Sequence, residues 1–386
     1  MKSLFMICLF LLLLIVNNAY KLLKTYQEKS PIAGLSEIKI HYPTYLLNYL
    51  AVGLNNGAIQ LYDILNENLV NTFDETNGGH SNRVWLFVSL ENGYLITGSD
   101  DFTIKIWDVK NQRLNFTFDQ SNGGHRTVMY SLASISNGKY LASASTDSIK
   151  IWDLTSQVLK YTLDKSKGGH DGTVYSLVGL DNDYLISGGY DATIKIWDVK
   201  RGELVNTFDQ TNGGHIKWVR KIVLLKNGYI ASGSDDNTIK IWNLVRMKLE
   251  YTFKQTNGGH KDSILSLFPL EDNYLASGSF DSSVKVWNID NGLLKYTFDK
   301  SNGGHDSNVA ILCSLQNGYM ASGSDDGFIK IWNLRKGILA YSFNQSNSGH
   351  SDSITGLMLL ENNHLVSGSR DKKIKIWSFD DDFINN

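Results

Sequence analysis

The 386-residue chain has only 3 Pro and 2 Cys, and neither sign of charge prevails: 37 Lys and Arg stand against 39 Asp and Glu, for a formal net charge of -2. Scarce cysteine excludes a disulfide framework. Cys8 lies in an apolar leader, so Cys313 is alone in the remainder and no internal bridge can form. Cys313 falls in the apolar stretch 309–315 and reads as a buried core thiol. The near-neutral balance argues against a nucleic-acid binder, which needs a concentrated basic surface. No segment holds a sustained helical period, and no Walker loop, zinc spacing or Rossmann fingerprint is present. The 42% of hydrophobic residues suffices for a large core and excludes a disordered or collagen-like chain.

Residues 1–19 differ from everything after them. Lys2, an apolar run from Leu4 to Val16 and then Asn17-Asn18-Ala19 have the layout of a secretory signal peptide cut after Ala19. The run is short of the ~20 apolar residues that span a bilayer. Asn17 is a poor residue three positions before the cut, so an uncleaved anchor and a plain intracellular start stay open beside cleavage. Cleavage would place the protein in the secretory pathway or outside the cell; otherwise it is cytoplasmic or membrane-tethered. Asn115 and Asn344 begin N-x-S/T triplets, which a chain rich in Asn and Ser also makes by chance.

Length alone suggests two or three domains, but a repeat overturns that. His80, His125, His170, His215, His260, His305 and His350, each preceded by Gly, recur every 45 residues. Trp107, Trp152, Trp197, Trp242, Trp287, Trp332 and Trp377 keep the same interval. Two unrelated markers in phase make residues 20–379 one array, followed by an acidic tail at 380–386. Within a unit, Val219–Leu224, Tyr229–Gly233, Thr238–Trp242 and Leu249–Phe253 are rich in Ile, Val, Tyr, Phe and Thr and bounded by Gly, Asn and Asp. They read as four strands joined by hairpin turns. One such sheet cannot bury both faces alone, whereas stacking sheets around an axis does so, giving an all-β propeller.

The segment Ser232–Asn243, SGSDDNTIKIWN, and the Trp-Asp pairs at Trp107, Trp152 and Trp197 resemble the WD-repeat family of β-propellers over nearly the whole chain. The other Trp residues are followed by Asn or Ser. Counting back 45 from Trp107 reaches Tyr62 within LAVGLNNGAIQLYDI, a degenerate first unit at about 35–64. The outer strand missing after Trp377 is expected at the other end. Leu22–Ser30, LLKTYQEKS, matches Leu293–Ser301, LLKYTFDKS, at five of nine positions. Eight blades are therefore expected, forming a monomeric ring closed by Leu22–Tyr26, with a seven-bladed ring as the alternative. Closure of this kind removes open sheet edges.

His, Ser and Asp in every unit are the residue types of a hydrolase triad. The resemblance implies instead a structural tetrad ending on Trp. Its members are His80, Thr97, Asp101 and Trp107; His125, Ser143, Asp147 and Trp152; His170, Ser187, Asp191 and Trp197; and His215, Ser232, Asp236 and Trp242. Three more sets follow: His260, Ser277, Asp281 and Trp287; His305, Ser322, Asp326 and Trp332; His350, Ser367, Asp371 and Trp377. In the second set the turn is one residue shorter. The first unit has Leu35, Val52, Asn56 and Tyr62 at the four positions, and is expected to be the least rigid. Seven equivalent copies do not describe an active site, so no catalytic, cofactor or metal residue is assigned. Paired Asp residues such as Asp100-Asp101 lack the ligand spacing of a calcium loop.

In propellers of this kind partners meet the top face, at the start of the inner strand and just before the turn Asp. There Arg83, Trp85, Tyr130, Tyr175, Tyr190, Trp218, Arg220 and Phe280 fall in consecutive units, whereas the last two units are mostly small or polar. Trp, Tyr and Arg dominate interface energetics, so this sector is the expected seat of a protein or peptide. The same rings also suit packing between blades. The resemblance implies a non-catalytic scaffold; a secreted lectin-like propeller stacking sugars on the aromatics is the alternative.

Overall fold

The computed structural model describes residues 20–41 and 46–379; the leader at 1–19 and the tail at 380–386 lie outside them. Among the described residues, 32 strands form eight four-stranded antiparallel sheets. Each inner strand packs against the inner strands on either side, and Ile32–His41 meets Ile354–Leu359, so the sheets close into one eight-bladed ring. Blade 5 is typical: Val219–Leu224, Tyr229–Ser234, Ile239–Asn243 and Lys248–Phe253, from axis to rim. Its two middle strands are almost wholly buried, because neighbouring blades cover both faces.

The closing strand is found where the sequence placed it, and is longer. Tyr20–Gln27 runs antiparallel to Lys373–Phe379, with Leu22 opposite Trp377 and Tyr26 opposite Ile374. It is the outer strand of blade 8, and the seven-bladed alternative falls.

Blades are clasped by aromatic pairs. The last residue of an outer strand lies on the Trp of the next blade, as Phe208 does on Trp242 at 4.4 Å and Phe253 on Trp287 at 4.3 Å. All seven of these Trp residues are fully buried. At 150–250 Å² each, a buried Trp is worth about 4–6 kcal/mol in transfer free energy. At the seam between blades 8 and 1, Tyr26 and Tyr62 fill the same places, 4.5 Å apart.

The link from outer strand to the next Gly-His is also built in. Asp209 caps a short 3₁₀ turn, Gln210–Asn212, by accepting the Thr211 N–H, and the Asn212 side chain bonds back to the Asp209 N–H. Gly213 then takes φ 87°, which favours glycine. A Cβ on Gly214 would lie 2.4 Å from the Asp209 backbone. The recurring Asn-Gly-Gly-His thus encodes one tight loop that aims the His inward.

Blade 1 departs from the expected phase. Leu35 is not at a His position: it faces Val52 across the sheet, as Phe87 faces Thr97. The inner strand begins at Ile32, three residues before the expected unit. Phe253 and Ile264 are eleven residues apart, but Tyr26 and Ile32 only six, so the 3₁₀ turn and the Gly-His loop have no room at this junction. The following hairpin is longer instead, by seven residues from Ile32 to Tyr49 compared with Val84 to Tyr94.

Candidate interaction face

The recurrent His, hydroxyl and Trp meet in all seven regular blades. His Nε2 lies 2.7–2.8 Å from the Ser or Thr oxygen. The same oxygen accepts the Trp Nε1–H at 2.8–3.0 Å. In six blades His Nδ1 stands 2.9–3.1 Å from the Asp. The directions are then forced. Trp N–H donates to the hydroxyl, whose O–H donates to Nε2, and Nδ1–H donates to the carboxylate.

Asp236 shows how firmly the end of the chain is held. It also accepts the backbone N–H of Ile216 and both N–H and O–H of Thr238. Burial alone would raise its pKa, but the bonds from His215 and Thr238 outweigh that and hold it well below the usual range. Burial lowers the pKa of His215 and keeps the ring neutral. Ser232 is fully buried with both sides of its hydroxyl engaged, so no substrate carbonyl can approach it.

Blade 3 corrects one expected tetrad. Its shorter turn leaves Asp147 exposed, bonded to the hydroxyls of Ser145 and Ser148, and it does not reach His125. His125 Nδ1 is buried without a partner. With no carboxylate bonded to it, burial pushes the His125 pKa down to about 4. His125, Ser143 and Trp152 remain joined.

Blade 1 replaces the relay with other chemistry. Tyr62 pairs with Leu50 as Trp107 pairs with Leu95, and its hydroxyl donates to the buried carboxyl of Glu28. Gln60 lies 3.0 Å from the same hydroxyl. Glu28 was not singled out in the sequence, since nothing in the 45-residue pattern marks it.

On the top face, the N–H of the residue before the turn Asp bonds the carbonyl at the start of the inner strand. Examples are Asp100 to Arg83, Tyr190 to Thr173 and Asp235 to Trp218. This bond brings the two sets of expected contact positions together. Trp85, Tyr130, Tyr175 and Trp218 then follow one another around the ring, with centroids 6.2, 5.5 and 5.9 Å apart. Tyr190 lies against Trp218 at 4.7 Å. Arg83 covers Trp85 and bonds Asp100, which also accepts the Trp85 N–H. Arg220 lies over Tyr175 and Trp218 and grips both oxygens of Asp235. Seven of the eight expected residues form this row. Phe280 is 40% exposed and has no ring contact with it.

The WD40 profile (WD domain, G-beta repeat) matches residues 68–108, 115–153, 159–198, 202–243, 248–288, 294–333 and 341–378, most of the chain. The chain belongs to the WD40 family. No curated protein matches it in sequence. Among solved structures it is similar to the computationally designed Ika8 protein, with 25% identity and a TM-score of 0.73, over 92% of this chain and 100% of that one.

The seven WD40 matches begin in an outer strand and end in the third strand of the next blade, so each repeat staples two blades. They pass over Ile32–Asp63, where the relay is replaced. A cavity of about 780 Å³ opens on the other rim between blades 5, 6 and 7, lined by Leu224, Tyr229, Tyr251, Leu270, Tyr274 and Ile289 among others. Sequence reasoning, guided to the top face, did not mark it; the structure leaves Leu224 at its edge exposed. Of the two glycosylation triplets, Asn115 is exposed, whereas the Asn344 side-chain oxygen caps a 3₁₀ turn. Cys313 is buried, and burial raises its pKa to about 12.

Proposed function

We propose that this WD40 propeller is a non-catalytic scaffold that holds a protein or peptide on the top face of blades 2–5. The carrying observation is the continuous row Trp85-Tyr130-Tyr175-Trp218-Tyr190, part of it open to water. At the equivalent inner-strand positions blades 6–8 offer only Leu265, Ala310 and Thr355. Family members generally act as platforms, which supports the class of function. The two Arg–Asp pairs fix the ring planes, so the surface meets a partner preorganised. Export through the secretory pathway belongs to the same reading; N-terminal sequencing that finds Tyr20 first supports it, and an intact Met1 start opposes it.

Selection from a displayed random-peptide library on the immobilised protein tests the platform. Trp85→Ala, Tyr175→Ala and Trp218→Ala are each expected to weaken capture of the selected peptides about thirtyfold. The melting temperature should change little, because these rings are only half-buried. A large loss of stability with unchanged capture would assign the rings to packing between blades. Saturable binding to a glycan array, with no peptide selected, would favour the lectin alternative.

A further inference from the structure

The eight inner strands wall the central channel, and their charges are few. Among their described side chains the charged residues are Glu37, Lys39, Arg220 and Lys221. Glu37 accepts the Glu361 N–H and Lys39 pairs with Glu361, both on the rim opposite the aromatic row. Arg220 is held by Asp235. Lys221 has no hydrogen bond or ion pair among the described residues. Its side chain is open to water, yet the surrounding protein lowers its pKa by desolvation. Both facts are met by a side chain standing in the channel.

Its neighbours show what the position ordinarily does. One and two blades earlier the equivalent residues are Ser176 and Ser131. Their hydroxyls accept the N–H of Ile222 and Leu177 on the next inner strand. The matching N–H in blade 6 belongs to Leu267, which has the same register against its second strand. A lysine has donors only, so it cannot accept that N–H. The Leu267 N–H therefore lacks the side-chain acceptor that Ser176 and Ser131 supply to their neighbours. A partly desolvated cation without a counter-charge is costly to keep. On the same rim Arg126 and Lys217 are exposed and have no acidic partner among the described residues.

The geometry points to an acidic peptide segment as the occupant of this face: aromatic or apolar side chains lie along the Trp85–Tyr190 row, and one carboxylate enters the channel mouth to meet Lys221. This inference rests on the platform reading and adds the partner's chemistry to it. Peptide is favoured over other anions because the row beside the channel is made of packed rings suited to side chains. Lys221 adjoins Arg220 on the same inner strand and is exposed.

The test is the random-peptide selection on the full chain, run in parallel on Lys221→Met and Lys221→Gln. The wild-type pool is expected to be enriched in Asp or Glu at one position. Binding of those peptides should fall about tenfold in both variants, the worth of one charge-assisted contact. Aromatic and apolar enrichment should persist, and the melting temperature should hold or rise. A wild-type pool without acidic bias, or acidic peptides bound equally well by both variants, overturns the Lys221 assignment and leaves the platform standing. Selection of no peptide at all overturns both. Retention of acidic glycans with no acidic peptide selected overturns the peptide assignment.

Discussion

Blade 5 and blade 1 solve one problem with different atoms. Each must tie its third strand to the inbound loop across a buried space. Blade 5 uses Trp242, Ser232, His215 and Asp236 in series. Blade 1 uses a single bond from Tyr62 to Glu28. The series needs a loop long enough to carry a Gly-His pair. At the junction of blades 8 and 1 the loop is five residues shorter, and a carboxyl on the incoming chain reaches the phenol directly. What the fold requires is a satisfied polar tie at that depth, not a particular set of residues. Blade 3 lies between the two, with the inner part of the relay intact and the outer part unmade.

The largest test removes the seam itself. A chain beginning after Ser30 lacks the outer strand of blade 8, Glu28 and the Tyr26–Tyr62 contact, and exposes the edge of Lys373–Phe379. Loss of a whole strand is expected to cost on the order of 5 kcal/mol or more, comparable with the net stability of a domain. Scanning calorimetry should show a broad, lowered transition with aggregation. A melting curve like that of the chain starting at Tyr20 would show that closure contributes nothing.

The comparison sharpens between blades 5 and 3. Asp236→Ala leaves His215, Ile216 and Thr238 without their acceptor and should cost about 2–3 kcal/mol. Asp147→Ala, at an exposed turn already detached from its His, should cost no more than about 1 kcal/mol. Equal losses in denaturant titration would mean that the blade 3 turn is not separate from the relay.

An effect between those two is expected in blade 1. Tyr62→Phe keeps the ring packed against Tyr26 but leaves the Glu28 carboxyl without its donor, at about 1–2 kcal/mol. If hydrogen exchange in Leu46–Leu54 and Ile59–Asp63 is as slow as in blade 5 and rises in the variant, the phenol–carboxyl bond is the tie. If those strands exchange faster than blade 5 already in the wild type, the substitute is the weaker one, as the absent tetrad leads one to expect.

Legibility in the sequence followed the period. His and Trp at 45-residue spacing fixed the number of regular blades, and LLKTYQEKS betrayed the closing strand because outer strands share a local pattern. The phase of blade 1 was not legible. The seven-residue insertion after Ile32 alone shifts the count, so counting back 45 from His80 lands on Leu35 with the strand misplaced by seven residues, whereas the five-residue deletion before Ile32 nearly restores the phase at the closing strand. Glu28 was invisible for a related reason: its role depends on a loop length that no repeat records. The aromatic row was visible as residue types. The arginine–aspartate pairs that fix its planes, and the unpaired Lys221, depend on which side chains meet in the folded ring.

The seam between the first and last strands has a mechanical consequence. Tyr20 lies opposite Phe379 at one end of the pair, and Gln27 lies opposite Lys373 at the other. A pull applied between the two chain ends therefore loads the hydrogen bonds one after another, as in a zipper, rather than all at once in shear. A ring tethered by one end and tugged by the other would open at this seam under modest force, while the seven blades between keep their internal bonds.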